Sequence, residues 1–581
     1  MPRRRLILAA VPLTLTAIVL AGCATQTVAG TSPTLSTSDS TTDSSVETTA
    51  VVDSELSAEA VLAANADVTV VNDDEWSESD AVDIDLSGSS ASSDSDAVTV
   101  EGSTVTITAA GVFRLSGSLD GQVVVAAPDD AQVVLILDDA EIAASDSPAI
   151  TVTSADDVAI SLADGSQNAV SDADAYVDAA EANAAIYSDA DLTISGSGAL
   201  AVSGNGNDGI ASTDDLVILS GEITVDAVDD GLRGKDSLSI EGGTVVVEAG
   251  GDALKSDHDE DATQGFIVVS GGDVTARTGD DGLAATTDVV VSGGTVSVTA
   301  GSSAAADDAP KGVSAGVVAV IDGGDVSIDA VDDAVHSDGS IGIGGGTLTV
   351  TSGDDGVHAE QVLEIRAGEV TVVDAVEGLE AADVAISGGA VDVTVSDDGI
   401  NAASGTAAAA GQGGGGGAGM ADSGETLVIS GGTVRVTAVG DGLDSNGSIT
   451  VSGGSTVVSG PTSGGGQGAV DANGAVTLDG GELFVAGSVL NTPAGSQLWA
   501  AGTVSGSAGQ TVEIVDGSGT VIASFVAGVE FGAVFYSGAG VADGATYTVT
   551  VDGAEAGSVT EGSGVTGGMG GGPGGGGGPR P

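Results

Sequence analysis

The sequence has few cationic residues. It carries 12 Lys and Arg residues against 86 Asp and Glu residues, a formal net charge of -74 over 581 residues. A protein that binds nucleic acid needs basic patches to neutralise phosphates, and none is present. The same shortage excludes binding to anionic lipid through the folded part of the chain. The acidity points instead to bound cations, to a wet extracellular setting or to solubility.

Aromatic residues and cysteine are also scarce. Phe, Trp and Tyr make up 2% of the chain, so a core built from Val, Ile, Leu and Ala is expected, and a narrow, repetitive interior suits it better than a broad one. A single cysteine, Cys23, excludes an intrachain disulfide.

The N-terminal segment has the pattern of an export signal. Three arginines precede the apolar run "LILAAVPLTLTAIVL", and "LAGC" then ends at Cys23, which resembles a bacterial lipobox. We therefore predict a lipoprotein signal peptide at 1–22, lipidation of Cys23, a flexible Ser/Thr/Asp-rich tether at 23–79, and a location on the extracellular face of the cell membrane. A plain secretory signal and an uncleaved anchor are the alternatives.

A repeat dominates the chain from about residue 98. "LSIEGGTVVVEA" (238–249) and "VVVSGGTVSVTA" (289–300) share one pattern, in which alternating apolar and polar residues flank a Gly-Gly pair. This pattern predicts a strand, a sharp bend and a second strand. A period near 22 residues with three short strands is typical of one coil of a parallel β-helix. We therefore predict an all-β chain with a parallel β-helix over 80–494, a Gly-rich insertion at 405–420, a β-rich C-terminal cap at 495–560 and a disordered tail at 561–581.

A second motif recurs once per coil, for example as "DDGLRG" (229–234), "GDALKS" (251–256) and "DDGVHA" (354–359). Residues one period apart lie above one another in a β-helix, so Leu232 and Leu254 are expected in one buried apolar column. The acids that precede these leucines are expected in an outward or corner column. The residue after the leucine forms a further column, which stacks Arg233 on Lys255.

Carboxylates stacked about 5 Å apart repel one another. Divalent cations between coils, nearby basic side chains or fanning of the acids into solvent would relieve this repulsion. Turn chemistry alone also explains single Asp and Asn residues at corners. Calcium takes six to eight oxygen ligands, and adjacent coils supply them in clusters. The predicted calcium ligands are concentrated on three successive coils: Asn207, Asp208, Asp214, Asp215, Asp229, Asp230, Asp236, Asp252, Asp257 and Asp259.

Residues from about 80 to 555 resemble a known bacterial family. The order and spacing of "NDGIAS…DDL…DDGLRGKD…GDALKSD" are similar to the lipid-anchored or secreted carbohydrate-binding domain proteins. The resemblance implies a right-handed parallel β-helix akin to pectate lyases. It also implies calcium bound by acidic side chains, and binding of acidic, pectin-like polysaccharide.

Two interpretations remain for the basic residues. Arg233, Lys235 and Lys255 are candidate contacts for uronate carboxylates, because Arg offers a bidentate fork. Salt bridges to the neighbouring acids are the simpler alternative. His336 and His358 are expected to stack on adjacent coils, either as a surface ladder without a role or as a further ligand site.

The leading hypothesis for function is a non-catalytic, monomeric binder of acidic polysaccharide. A calcium-dependent polysaccharide lyase, with Lys255 or Arg233 as the base, is one alternative. A structural stalk or adhesin with a protein partner is the other. The scarcity of aromatic residues in the repeat disfavours stacking on neutral, crystalline glucan.

Overall fold

The structure is a computed structural model that describes residues 56–177, 180, 182–301, 309–404, 421–462 and 467–564. The predicted signal peptide, Cys23, the insertion 405–420 and most of the tail 561–581 lie outside the described residues. All described residues belong to one compact unit, which runs from 50 to 581. Among them, the structure has no helix with the length and apolar character to cross a bilayer.

The chain winds into a parallel β-helix with three faces, which confirms the predicted fold. Leu232 pairs with Leu254, and Leu238 pairs with Ile267, on parallel strands of successive coils. We call the face with the leucine motif the first face. Its strands are Thr104–Ile107, Gln122–Ala126, Ile150–Ser154, Ala184–Ser188, Asp208–Ser212, Leu232–Gly234, Leu254–Ser256, Leu283–Ala285, Val313–Ala315, Val335–Ser337, Asp355–Ile365, Glu377–Ile386, Ile400–Ala402 and Leu443–Ser445.

The second face follows the first within each coil, and the later halves of Asp355–Ile365 and Glu377–Ile386 continue onto it. Its own strands are Val82–Gly88, Gly111–Asp120, Gln132–Ala143, Asp157–Leu162, Asp191–Gly196, Asp215–Ile218, Ser237–Ile240, Phe266–Val269, Asp288–Val291, Val318–Ile321, Ser340–Ile343, Thr426–Ile429, Ser448–Ser459 and Val476–Ala486. The last two also bend onto the third face.

The third face lies between a Gly-Gly corner and an acidic corner. Its own strands are Gln167–Ser171, Ala199–Gly204, Glu222–Ala227, Thr244–Ala249, Asp273–Thr278, Thr295–Thr299, Asp325–Ala330, Thr347–Ser352, Glu369–Asp374, Ala390–Thr394 and Thr433–Thr437. The second glycine of each pair turns the corner. Gly243 has a φ of 85°, and a Cβ there would lie 2.7 Å from the carbonyl oxygen of Gly221 on the preceding coil. Glycine is therefore required at this corner.

The predicted leucine column is buried inside the coils. Leu232, Leu254 and Val357 are 0% exposed, and one continuous apolar core runs from Ile84 to Phe535. The structure has one coil without the acidic motif, in which Val313 stacks between Leu283 and Val335. Pro310 and Lys311 replace the acid pair there, so the coil lacks the acidic signature.

The predicted tether at 23–79 is wrong for residues 56–79, which pack along the second face. They include the helix Ala58–Ala64, and the 3₁₀ turn Glu78–Asp80 follows. The backbone N–H of Ala58 donates to Asp322 at 2.6 Å, and that of Thr69 donates to Asp215 at 2.8 Å. Val61 covers outward-facing valines of the second face, and Val71 covers others. These apolar outer positions need a cover, which explains the ordered segment.

The C-terminal end carries the predicted β-rich cap. Its antiparallel strands are Trp499–Gly502, Thr511–Val515, Val521–Val526, Val534–Ser537, Thr546–Val551 and Ala554–Glu561. They enclose a separate apolar cluster that contains Phe484, Phe525 and Tyr536. Val534–Ser537 pairs with the last strand of the β-helix, Val476–Ala486, so the cap covers the open end of the coils. At the other end, two short antiparallel strands, Ala91–Ser92 and Val98–Glu101, accompany the first coils.

Candidate functional site

The second acid of each motif lies in a column at the corner before the first face. This corner column contains Asp208, Asp230, Asp252, Asp281, Lys311, Asp333, Asp355, Glu377, Asp398 and Asp441. Six of the aspartates are buried. Oδ1 of Asp230 accepts the backbone N–H of Asp252 at 2.9 Å, and Oδ1 of Asp252 accepts that of Asp281 at 3.0 Å. The column is thus a ladder of hydrogen bonds between coils rather than an exposed row of acids.

The residue after each leucine forms a second column, which we call the face column. Its members are Ala211, Arg233, Lys255, Ala284, Ser314, His336, His358, Glu380, Asn401 and Asp444. The predicted stacking of Arg233 on Lys255, and of His336 on His358, is confirmed. Each face-column residue lies three positions after its corner-column partner, and Lys255, His336 and His358 each contact that partner. The character of the face column changes along the coils from basic through imidazole to acidic.

The two basic residues of the face column are held by protein carboxylates. Arg233 makes a bidentate contact with Asp257, with N–O distances from 2.7 to 3.2 Å. Nζ of Lys255 lies 2.9 Å from Asp230 and 2.8 Å from Asp252. These carboxylates raise the pKa of Lys255 against the opposing effect of burial. The geometry is that of charge compensation, and a glycan carboxylate would have to displace a protein one.

The acids predicted as calcium ligands have other partners on these coils. Asp215 accepts the hydroxyl of Ser237 at 2.7 Å and also the backbone of the N-terminal segment. Asp236 contacts His258 at 2.6 Å and accepts the amide of Gln264 at 2.6 Å. Asn207 donates to Asp208 at 2.8 Å. Asp214, Asp229, Asp259 and Lys235 lie nearby, and their predicted roles, like those of Arg233 and Lys255, stay predictions.

Among the described residues, groups of three or more side chains that could bind one metal ion lie on later coils. None of these groups contains a predicted calcium ligand. Two of them consist only of acids of the two columns. The first acid group is Asp355, Glu377 and Glu380, and the second acid group is Asp398, Asp441 and Asp444. Within each group, one oxygen of each residue lies within 4.8 Å of the others.

No basic side chain of the two columns accompanies the second acid group among the described residues, whereas Nδ1 of His358 lies 3.3 Å from Asp355 of the first acid group. In the second acid group, burial and then repulsion from neighbouring carboxylates raise the pKa of Asp398 to about 6 and those of Asp441 and Asp444 to about 7. Burial also raises the pKa of Glu380, with further contributions from Glu377 and Asp355. The second acid group therefore lacks, among the described residues, the positive charge that the earlier coils have.

Asn401 lies between the two acid groups in the face column. It is 8% exposed, and its amide nitrogen donates to Glu377 at 2.9 Å. Its Oδ1 is buried without a hydrogen-bond partner, which is costly for a polar atom. A cation among the neighbouring carboxylates would satisfy this oxygen. The density of acids at 207–259 directed the predicted calcium ligands to the earlier coils. The absence of basic residues beside Asn401 and Asp444 is a separate signal, and it is visible only once the columns are aligned.

Comparison with known proteins supports the resemblance. Residues 101–356 match the family model for carbohydrate-binding domain-containing proteins. The predicted resemblance is thereby confirmed over this part of the chain. A carbohydrate-binding domain-containing protein of Acetivibrio thermocellus is 36% identical over 135 residues, which are 22% of this chain and 47% of that protein. The match thus spans about half the length of that relative.

A solved structure is also similar to this chain. The polysaccharide lyase-like protein from C. thermocellum, in a gadolinium derivative, is 30% identical and covers 45% of this chain and 96% of its own. The TM-score is 0.38, which is too low to carry an argument about fold or function. The parallel strand pairing of this chain shows its fold without that comparison.

Proposed function

We propose that this protein binds acidic polysaccharide through calcium held by the second acid group on the first face. The observation that carries the proposal is the uncompensated charge at Asp398, Asp441 and Asp444, beside the unpartnered Oδ1 of Asn401. Earlier coils offset their carboxylates with Arg233 and Lys255. A bound cation is the equivalent compensation on the later coils.

The donor set suits calcium. All candidate donors in the second acid group and at Asn401 are oxygens, which calcium prefers, and the partly exposed carboxylates of Asp398 and Asp444 leave room for water and a further ligand. Calcium would supply positive charge at this surface. The residues of this chain would hold the ion, fix its place on the first face and keep their carboxylates ionised.

Calcium also explains how so acidic a protein would bind an acidic glycan. A net charge of -74 repels a polyanion unless a cation lies between the two surfaces. A uronate carboxylate would complete the coordination of an ion that Asp398, Asp441 and Asp444 hold only in part. Glycan binding and calcium binding would then be coupled.

Lyase chemistry is not proposed for the residues predicted as its base. Lys255 lies between two carboxylates, which raise its pKa and keep the ammonium charged. Arg233 is engaged in a bidentate contact with Asp257. A base that abstracts a proton from a uronate must be uncharged at its nitrogen.

At the cell surface, where lipidation of Cys23 would hold it, the protein is proposed to act as a binder.

The first test compares binding to polygalacturonate in calcium and in EGTA. Binding is expected to weaken by at least about tenfold in EGTA, because each lost charge-assisted contact is worth about 1.5–3 kcal/mol. Asp398→Asn with Asp444→Asn should bind weakly in both buffers. Asp325→Asn with Asp392→Asn, two exposed acids on the third face, is the matched control and should bind like the parent.

Three other results would contradict the proposal. Binding that EGTA leaves unchanged would remove the role of calcium. Absorbance from an unsaturated product would show a lyase, and no binding to any acidic glycan would favour a stalk with a protein partner.

A further inference from the structure

The two histidines of the face column converge on one carboxylate. The rings of His336 and His358 lie on adjacent coils with centroids 5.0 Å apart and planes 86° from parallel. Nδ1 of His336 lies 2.8 Å from Oδ2 of Asp333, and Nδ1 of His358 lies 3.5 Å from the same oxygen. Two imidazole nitrogens and one carboxylate oxygen therefore face a common point.

We propose that Asp333, His336 and His358 bind one zinc ion. This site shares no residue with the proposed calcium site at Asp398, Asp441 and Asp444, and it does not depend on glycan binding. It joins two successive coils, because Asp333 and His336 come from one coil and His358 comes from the next.

The distances from the two imidazole nitrogens to Oδ2 of Asp333 suit a tetrahedral zinc site. Zinc lies 2.0–2.1 Å from imidazole nitrogen and 2.0–2.2 Å from carboxylate oxygen, which sets its ligand atoms roughly 3.3 Å apart. The two separations from Oδ2 of Asp333, 2.8 and 3.5 Å, bracket this value. Water would be the fourth ligand, as in other zinc sites that have three protein ligands. Small shifts of these side chains would complete the coordination.

A carboxylate behind His336 gives a second, independent indication. Nε2 of His336 lies 3.2 Å from Oδ1 of Asp338, on the side of the ring away from Asp333. A histidine that binds a metal commonly donates its other ring N–H to a carboxylate, which fixes the tautomer. With the proton on Nε2, the lone pair of Nδ1 is turned toward Asp333 and His358.

The ligand types select zinc over calcium at this place. Calcium takes oxygen ligands, whereas zinc binds imidazole and carboxylate together. The side chains are 6% exposed at Asp333, 14% at His336 and 20% at His358, so they are partly shielded from competing water. The competing explanation is that both rings are protonated and serve only to neutralise Asp333 and Asp355.

His258 provides a matched control. It is the third histidine of the chain, and its Nδ1 also contacts an aspartate, Asp236, at 2.6 Å. The other side chain that contacts Asp236 is Gln264 rather than a second histidine. His258 therefore has the carboxylate partner without the second imidazole that zinc needs.

The test titrates zinc into the full chain, freed of metal and held in excess calcium so that the oxygen sites are occupied. We expect one zinc ion per chain and a higher melting midpoint when zinc is present, because the ion binds only the folded coils. His336→Ala and His358→Ala should each weaken zinc binding by at least about tenfold. His258→Ala should bind zinc like the parent. Circular dichroism in zinc-free buffer checks that each variant folds.

Nitrogen NMR of the imidazoles identifies the ligating atoms, since the chain has three histidines. The proposal expects zinc to shift Nδ1 of His336 and of His358 and to leave His258 unchanged. Equal zinc affinity in the parent and in the variants at 336 and 358 would overturn it. So would an equal loss in His258→Ala, or rings that titrate with pH but do not respond to zinc. None of these outcomes bears on the calcium-dependent binding of polygalacturonate.

Discussion

Replacing Lys255 by methionine is expected to lower the free energy of unfolding by about 3 kcal/mol. Removing one partner of a buried ion pair costs about 3–5 kcal/mol, because a charge stays behind without compensation. The lower end applies because the side chain of Lys255 is 29% exposed. Asp230 and Asp252 would lose their shared cation, and the backbone amides of Asp252 and Asp281, which they accept, should exchange hydrogen faster.

The matched control for this change is Arg277→Met. Arg277 is exposed on the third face, and its replacement removes one positive charge from the same β-helix. It should leave the melting midpoint and the exchange of those two amides nearly unchanged. Lys255→Arg should recover most of the stability. If Lys255→Met and Arg277→Met behave alike, the ladder does not depend on Lys255.

Calcium is expected to stabilise the protein most strongly at neutral pH. In EGTA, the melting midpoint should rise as the pH is lowered from about 7.5 to about 5. The folded-state pKa values of Asp398, Asp441 and Asp444 are about 6–7, above their ordinary value of 3.8. The folded protein therefore binds more protons than the unfolded chain between these values. Stability consequently falls as the pH rises through this interval.

Calcium should reverse this loss above about pH 7, where the carboxylates are ionised. An ion that binds only the folded state adds about 2.7 kcal/mol when its free concentration is about 100 times the dissociation constant. Magnesium should stabilise less, because it requires stricter octahedral geometry. His358, whose pKa is raised by Asp333 against burial, titrates in the same direction. The double variant Asp398→Asn with Asp444→Asn separates the contribution of His358 from that of the second acid group. It should remove the stabilisation by calcium and reduce only the part of the pH dependence that the carboxylates cause. Equal midpoints in calcium and EGTA would contradict the assignment.

Much of the fold could be predicted because a β-helix repeats its environment once per coil. The spacing of Leu232 and Leu254 was sufficient to place both in one buried column, and the Gly-Gly pairs marked a corner where Gly243 needs a positive φ. The ordered segment at 56–79 was missed because its apolar residues, such as Val61 and Val71, follow a long Ser/Thr/Asp-rich stretch and show no regular strand pattern. Apolar residues such as Val290 and Val320, which are distant in the chain, need this segment to cover them.

The site could be predicted only in outline. The stacking of Arg233 on Lys255 and of His336 on His358 follows from the period alone. The partner of each carboxylate does not, because it depends on which oxygen faces the next coil. Asp252 illustrates this: one oxygen accepts a backbone N–H and the other contacts Lys255, so it has little capacity left for calcium. Counting acids along the sequence cannot reveal that difference.

A crystal structure of the protein with calcium and a short galacturonate oligomer would test most directly whether calcium connects the second acid group to the glycan. The proposal expects a calcium ion bound by Asp398, Asp441 and Asp444, with Oδ1 of Asn401 turned toward it and a uronate carboxylate on its open side. Calcium found only among the acids at 207–259, or an oligomer bound away from the first face without an ion, would contradict it.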